Sequence, residues 1–228
     1  MRYRDDDAMM FVDRRQAGRL LAESLRFLAN RPHTLVLGLP RGGVPVAYEV
    51  AQAICAPLDV LLVRKLGVPG HEELAMGAVA SGGSLVVNDD VVRHLRIGQA
   101  VIDAVARAEL EELDRRERLY RDRRARPEVK DRTVVLIDDG LATGSTMKAA
   151  AQVIRQQSPR RLIVAVPVAA QSTCESLASE VDQVICLSTP EPFYAVGLWY
   201  EDFSQTTDDE VQHLLTEAAE RFAGSCHA

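Results

Sequence analysis

Two adjacent carboxylates, Asp138 and Asp139, follow a run of four apolar residues at positions 134–137. The apolar run is typical of a buried strand, so both carboxylates would stand at its carboxyl end. In open α/β sheets, ligands bind just beyond the carboxyl ends of the strands. Residues 140–146 form a stretch rich in Gly, Ser and Thr before the next helical pattern. We therefore expect a ligand site where this strand, loop and helix meet.

The chemistry of the loop and that of the carboxylates suit different groups of one ligand. Backbone N–H groups at the start of a helix bind anions, and the hydroxyls of Thr143, Ser145 and Thr146 can donate further hydrogen bonds to phosphate oxygens. Asp138 and Asp139 would repel a phosphate unless they contact something else. Ribose hydroxyls, or a Mg²⁺ ion that bridges to them, would remove that conflict. The pattern thus favours a phosphorylated sugar over a plain turn with an N-terminal cap.

Two further segments carry basic or glycine-rich chemistry. Arg41 precedes Gly42 and Gly43, which would let the backbone approach a diphosphate while the arginine neutralises it. This segment also fits an ordinary strand-to-helix turn, but its position after the first predicted strand favours anion binding. Arg64 and Lys65 precede a stretch that contains glycine and proline. There, a surface loop with solvated basic side chains is an equal alternative.

These residues need a scaffold, and the apolar runs predict one. Short apolar runs alternate with helical periodicities, which is typical of a parallel sheet covered on both faces. We predict fold class α/β, with an open, mostly parallel sheet and helices on both faces. Residues 64–83 favour a long connection, with a hairpin of 76–80 and 84–87 as the alternative. Predicted strands cover residues 34–37, 58–63, 133–137, 162–166 and 183–187, and predicted helices cover 13–29, 44–54, 98–125 (with a solvated charged face), 145–157, 172–179 and 208–222.

Composition argues against several classes of protein. The chain has 228 residues and a formal net charge of −6, which offers no basic footprint for nucleic acid. The first residues are polar and acidic, and no apolar run approaches the roughly 18 residues of a membrane span. The four cysteines lie far apart without metal-ligand spacing, and we expect free thiols in a reducing compartment. We therefore expect a cytoplasmic protein without nucleic-acid or membrane partners.

Residues 134–146 resemble the motif of type I phosphoribosyltransferases that binds phosphoribosyl pyrophosphate (PRPP): an apolar strand, two acids, and a small-residue loop ending in Thr-Gly-x-Thr. Residues 38–47 are similar to the pyrophosphate loop of xanthine-guanine phosphoribosyltransferases. Residues 62–70 are similar to the stretch of adenine phosphoribosyltransferases where a mobile loop begins. The three segments occur in the family's order. One departure is Gly140, where the family more often has an apolar residue or Ser.

The resemblance implies a transferase that uses Mg²⁺ and PRPP, with a nitrogenous base as acceptor and pyrophosphate as a product. Asp138 and Asp139 would hold the ribose hydroxyls, directly or through Mg²⁺ and water. Together with Arg41 and Lys65 they would form the catalytic set. The implied PRPP contacts are Pro40, Arg41, Gly42, Gly43, Arg64, Lys65, Asp138, Asp139, Gly140, Leu141, Ala142, Thr143, Gly144, Ser145 and Thr146.

Two conformational features are also implied by the resemblance. The peptide bond between Pro40 and Arg41 would be cis, which would aim successive backbone groups at the diphosphate. Residues 66–75 would form a lid that is mobile without ligand and ordered with PRPP, since Gly67 and Gly70 flank a turn with little apolar anchorage.

Aromatic residues crowd together just after the last predicted strand. The order Phe-x-x-Val-Gly is similar to the tail of hypoxanthine-guanine phosphoribosyltransferases, where an aromatic ring stacks on the base. We expect a purine-like base on Phe193 or Tyr194, with sealing of the sheet end by these rings as the alternative. We also expect a single domain over residues 1–228, with a core of about 34–187 and a hood from 1–33 and 188–228. The sequence leaves open a homodimer, and a PRPP-binding regulatory or partner-binding protein with weak catalysis.

Overall fold

A computed structural model describes residues 9–121 and 124–225 of the chain. The strands are β1 (Thr34–Gly38), β2 (Leu58–Val60), β3 (Val63–Val68), β4 (His71–Ala80), β5 (Leu85–Val87), β6 (Thr133–Ile137), β7 (Arg161–Val168) and β8 (Gln183–Ser188). The helices are α1 (Arg14–Ser24), α2 (Gly43–Ile54), α3 (Asp89–Leu95), α4 (Gln99–Arg121), α5 (Ser145–Gln156), α6 (Gln171–Leu177) and α7 (Asp208–Ser225).

A parallel sheet with the order β2-β1-β6-β7-β8 forms the centre of the fold. Alternate residues of β6 face opposite layers: Leu136 packs in the cluster that contains Met147 of α5, whereas Ile137 packs in the cluster that contains Leu21 of α1. Helices therefore cover both faces, and the predicted fold class is confirmed. Because β1 pairs in parallel with β6, the loops that follow these two strands leave the same edge of the sheet.

The long connection expected at residues 64–83 is wrong, because most of this segment is paired strand. Strands β3, β4 and β5 form a three-stranded antiparallel sheet, which includes the alternative hairpin of β4 and β5. Leu66 of β3 and Met76 of β4 are buried with Ile102 of α4. Burial of these side chains against α4 holds the hairpin together, and the glycines of the segment obscured its strand periodicity.

The expectation of four free thiols is also wrong. Cys174 of α6 and Cys186 of β8 are joined as a disulfide. These cysteines are only twelve positions apart, and the chain between them turns back so that α6 lies against β8. Sequence spacing alone did not indicate that the helix returns to the strand in this way.

The chain before α1 contacts the segment between β8 and α7 beside the sheet. Phe11 forms a parallel bridge with Tyr200, and the Phe11 N–H donates to the Trp199 carbonyl oxygen at 2.9 Å. Helix α7 packs on α2 and α4 instead. The charged face of α4 carries ion pairs such as that of Glu112 with the largely exposed Arg115. No helix among the described residues combines the length and the apolarity needed to cross a bilayer.

Gly18 allows α1 and α2 to pack closely, and this contact yields a test of the fold. A Cβ atom at Gly18 would lie 2.7 Å from the Val46 carbonyl oxygen and 2.9 Å from Glu49 Cβ. We expect Gly18→Ala to lower the free energy of unfolding by about 1–3 kcal/mol through overpacking, despite the higher helix propensity of alanine. Urea unfolding measures this change.

Gly224→Ala is the matched control, because a Cβ atom there meets nothing within 4 Å in α7. This control should leave stability unchanged or raise it by up to about 1 kcal/mol. A Gly18→Ala protein as stable as the control would contradict the steric argument.

Candidate ligand-binding site

The acidic pair and the glycine turn lie at the same edge of the sheet. Asp138 and Asp139 follow β6, and the turn with Gly42 and Gly43 follows the neighbouring strand β1. A Cβ atom at Gly42 would lie 2.0 Å from Asp139 Oδ2, and one at Gly43 would lie 2.6 Å from the Ile137 carbonyl oxygen. Only glycine therefore lets the turn pack against the carboxylates. Two segments predicted from the sequence are thus brought together.

Burial acts on both carboxyl groups of the acidic pair. Burial raises the pKa of Asp138 well above its ordinary value, and the neighbouring Asp139 charge raises it further. Burial also raises the pKa of Asp139, although the hydrogen bond and charge of Arg14 oppose that shift. Asp138 Oδ1 accepts a hydrogen bond from the Asp139 N–H at 2.9 Å. A ligand that brings a cation or hydroxyl donors would stabilise both ionised groups.

Arg14 of α1 is a site residue that the sequence analysis missed. Its Nε donates to Asp139 Oδ2 at 2.8 Å, and its Nη1 donates to the Ser204 carbonyl oxygen at 2.7 Å. The Phe203 ring covers the guanidinium, with 3.9 Å between Cζ and the ring centroid. The side chain is only 11% exposed. No local signal could have identified it, because 125 positions separate Arg14 from its carboxylate partner.

The loop after the acidic pair is supported by α6. Gly144 has φ of 66°, in the left-handed region, and directly precedes α5. A Cβ atom at Gly144 would lie 2.5 Å from Thr173 Cγ2, and Thr173 Oγ1 donates to the Ala142 carbonyl oxygen at 2.6 Å. The hydroxyl oxygens of Thr143 and Ser145 lie 3.3 Å apart at the start of α5. The loop thus gathers hydroxyls and helix N–H groups at one point, which suits a phosphate.

Arg41 follows a cis peptide bond to Pro40, which confirms that prediction. Its Nη1 lies 4.0 Å from Asp208 Oδ1 at the start of α7. Tyr120 Oη donates to the same oxygen at 2.5 Å, and burial together with this bond raises the pKa of Tyr120 to about 12. Arg41 therefore has an acidic neighbour from a distant helix, which the sequence did not indicate.

The third predicted segment lies on β3 and borders a cleft of about 560 Å³. Thr146 of α5 lines the same cleft as Arg64 and Lys65, so the start of α5 and the basic residues of β3 face one space. Arg64 Nε donates to Glu109 Oε2 of α4 at 2.6 Å. The cleft is lined by Val63, Arg64, Lys65, Gly67, Pro69, Glu72, Val105, Glu109 and Thr146.

The aromatic segment after β8, residues 193–203, is anchored to the backbone of the acidic pair. Tyr200 Oη donates to the Asp139 carbonyl oxygen at 2.6 Å. A Cβ atom at Gly140 would lie 2.5 Å from Val196 Cγ1 and 3.0 Å from Val168 Cγ1. Glycine at position 140 therefore gives the aromatic segment room to approach the loop. This contact is a physical reason for the departure from the family pattern.

The two rings expected to hold a base have different surroundings. Phe193 stacks on Trp199, with ring centroids 6.4 Å apart, and packs against the apolar cluster around Phe11. Tyr194 is 79% exposed. Phe193 is thus already engaged within the segment, whereas the Tyr194 ring is open to a partner.

The carboxylates suit a cation that arrives with ligands of its own. Across residues 9–121 and 124–225, no group of three or more His, Cys, Asp or Glu side chains could hold a metal ion. Mg²⁺ usually keeps several waters and binds through one or two carboxylates plus substrate phosphates. Asp138 and Asp139 therefore fit a Mg²⁺ ion bound to a diphosphate better than they fit a free resident ion.

Comparison with known proteins agrees with this geometry. The family described as the phosphoribosyl transferase domain matches residues 13–196. Two Mycobacterium tuberculosis proteins, Rv0571c and MT0597, whose names provisionally assign them as phosphoribosyl transferases, are each 49% identical over 214 residues. The matched region is 94% of this chain and 48% of each relative, so the chain spans about half the length of these two proteins.

A solved structure extends the likeness to three dimensions. The crystal structure of TT1426 from Thermus thermophilus shares 46% sequence identity and superposes with a TM-score of 0.85. The match covers 92% of this chain and 99% of that chain. With its family match, parallel sheet and acidic loop, the chain belongs to the type I phosphoribosyltransferase family.

Proposed function

We propose that this protein binds Mg²⁺-PRPP and transfers its phosphoribosyl group to a nitrogenous base, with release of pyrophosphate. The observation that carries the proposal is the packing of the turn with Gly42 and Gly43 against Asp138 and Asp139. This packing brings the glycine turn to the two carboxylates, and the loop that follows them leads directly to the start of α5. Their chemistry suits, in order, the diphosphate, the ribose hydroxyls and the 5′-phosphate of PRPP.

In this proposal, Asp138 and Asp139 hold the ribose hydroxyls and the loop of residues 140–146 holds the 5′-phosphate. Arg41 and Lys65 neutralise the diphosphate as it leaves, and Arg64 and the backbone of residues 40–43 contribute to its binding. The acidic neighbours of the two arginines would then be exchanged for the more highly charged ligand.

The reaction breaks the bond between ribose C1 and a diphosphate oxygen and forms a bond from C1 to a nitrogen of the base. The protein contributes by positioning the reactants, stabilising developing charge and excluding water. Residues 140–146 contain no titratable side chain, so this loop binds and orients without transferring a proton. Mg²⁺, when bound with PRPP, adds positive charge at the diphosphate.

For the acceptor, we propose a purine-like base stacked on Tyr194. The exposure of the Tyr194 ring supports this choice over Phe193, which is stacked on Trp199.

We also propose that the chain divides into a core of about residues 34–187 and a hood from residues 1–33 and 188–228. The bridge between Phe11 and Tyr200 joins the two parts of that hood, whereas α1 and α7 pack on the core.

Turnover tests the proposal. We expect pyrophosphate release when the protein, Mg²⁺ and PRPP are incubated with one member of a panel of purine, xanthine and pyrimidine bases. Tight PRPP binding without turnover on any base would favour the alternative of a regulatory or partner-binding protein. Absence of both binding and turnover would refute the proposed function.

Asp138→Asn separates binding from folding. The asparagine oxygen can still accept the Asp139 N–H, and the substitution removes a charge that repels Asp139. We expect stability to be equal or higher and calorimetric binding of Mg²⁺-PRPP to be abolished, alone or combined with Asp139→Asn. Asp90→Asn, which removes a charge from a side chain that is 91% exposed, is the control. If Asp138→Asn and the double variant both bind PRPP with undiminished affinity, the assignment of these carboxylates to the PRPP site is ruled out.

Tyr194→Ala tests the acceptor pocket. Loss of stacking should raise KM for the accepted base by roughly tenfold or more, while Tyr194→Phe should retain the wild-type value. Phe193→Ala should mainly lower thermal stability, because its ring packs on Trp199. Steady-state kinetics with the accepted base measure the change. An unchanged KM in Tyr194→Ala, or reaction with pyrimidines alone, would show that the pocket is wrongly assigned.

Hydrogen exchange tests the lid at residues 66–75, which lie around the hairpin tip between β3 and β4. We expect amide exchange there to slow when Mg²⁺-PRPP is added, because ligand phosphates would contact the basic strand. The other hairpin tip, at Gly82 and Gly83, serves as an internal control with unchanged exchange. Equal exchange in residues 66–75 with and without ligand would argue against a lid.

A further inference from the structure

Arg14 joins three separate parts of the site through one guanidinium group. It donates to the Asp139 carboxylate at 2.8 Å and to the Ser204 carbonyl oxygen at 2.7 Å, and it lies under the Phe203 ring. A Cβ atom at Gly42 would lie 3.2 Å from Arg14 Nε. The arginine therefore sits between the glycine turn, the acidic pair and the aromatic segment.

Few conformations remain for a carboxylate held in this way. Gly42 leaves just enough space for Asp139 Oδ2, and Arg14 Nε bonds the same oxygen. Tyr200 anchors the backbone of Asp139 from the other side, through its carbonyl oxygen. Hydrogen bonds to charged groups are short and directional, so the guanidinium sets the direction of the carboxylate before a ligand arrives.

We propose that Arg14 is a positioning residue that holds the Asp139 carboxylate in place for the ribose hydroxyls of PRPP. This inference rests on the proposed function, since it concerns the ribose end of that site. It assigns a functional role to a residue of the N-terminal helix, outside the three segments that carry the family resemblance. Its effect should be confined to ligands that contain ribose.

Ligand dissection by calorimetry tests this role with three probes: Mg²⁺-PRPP, ribose 5-phosphate and pyrophosphate without Mg²⁺, which needs no metal-binding carboxylate. Arg14→Met keeps an unbranched chain under Phe203 but removes the donors. We expect it to weaken binding of the two ribose-containing probes by roughly 10- to 100-fold. Pyrophosphate binding should change by less than about twofold. Arg14→Lys should recover part of the lost affinity, because it restores the charge without the planar fork.

Arg15→Gln is the matched control. Arg15 is the next residue of α1, 43% exposed, and pairs with Glu49 away from the acidic pair. It should bind all three probes like the wild-type protein. Equal weakening of all three probes by Arg14→Met would indicate a general structural role and overturn the inference, as would unchanged or tighter binding of the ribose-containing probes.

A double-substitution cycle tests whether Arg14 acts through Asp139. In an Asp139→Asn background, Arg14→Met should produce little further loss of ribose 5-phosphate affinity. Independent, additive losses of affinity would show that Arg14 does not act through Asp139.

If the Arg14→Met protein does not fold, the same three probes are compared between the wild-type protein and Arg14→Lys. Failure of the wild-type protein to bind PRPP would count against the proposed function. If the Arg14 variants bind PRPP as tightly as the wild-type protein, only the role of Arg14 is refuted.

Discussion

The carboxylate of Asp139 is the group on which the arrangement of the site depends. Two adjacent negative charges at a buried strand end repel each other and lose hydration, so such a pair needs support from its surroundings. Arg14 donates to this carboxylate, Tyr200 donates to the carbonyl oxygen of the same residue, and Gly42 leaves room for it. These partners come from three distant parts of the chain. The acidic pair thereby ties the N-terminal helix, the glycine turn and the aromatic segment to the end of β6.

Residue size matters as much as charge in shaping this region. Side chains at Gly42, Gly43 or Gly140 would collide with Asp139, the β6 carbonyl or Val196, respectively. Glycine lowers the stability of a chain through its conformational entropy, so its use at three contacts of one site indicates a requirement for close approach. The glycines let the turn after β1, the end of β6 and the aromatic segment pack closely, which larger side chains would prevent.

Cations around the site have acidic neighbours within the protein. Arg14 pairs with Asp139, Arg64 with Glu109, and Arg41 lies 4.0 Å from Asp208. The protein as a whole carries a formal net charge of −6, so its overall field does not attract a polyanion. Affinity for a phosphorylated ligand must then come from several short contacts made together. At Arg41 and Arg64 such a ligand would compete with the carboxylates of Asp208 and Glu109.

The strands of the parallel sheet, the acidic loop and the glycine turn could be predicted from the amino-acid sequence, because their signals are local. An apolar run ending in Asp138 predicts a strand and its edge from adjacent residues, and the cis bond before Arg41 was predicted from a short resemblance. Three features became visible only in the folded chain: Arg14 contacts Asp139, Thr146 shares a cleft with Arg64, and most of residues 64–83 form paired strands. The first two contacts join residues far apart in the chain, whereas the hairpin of β3 and β4 is local and its glycines obscured the strand periodicity. These features depend on the whole fold, because they arise where strands pack against α4 and where loops meet at one edge of the sheet.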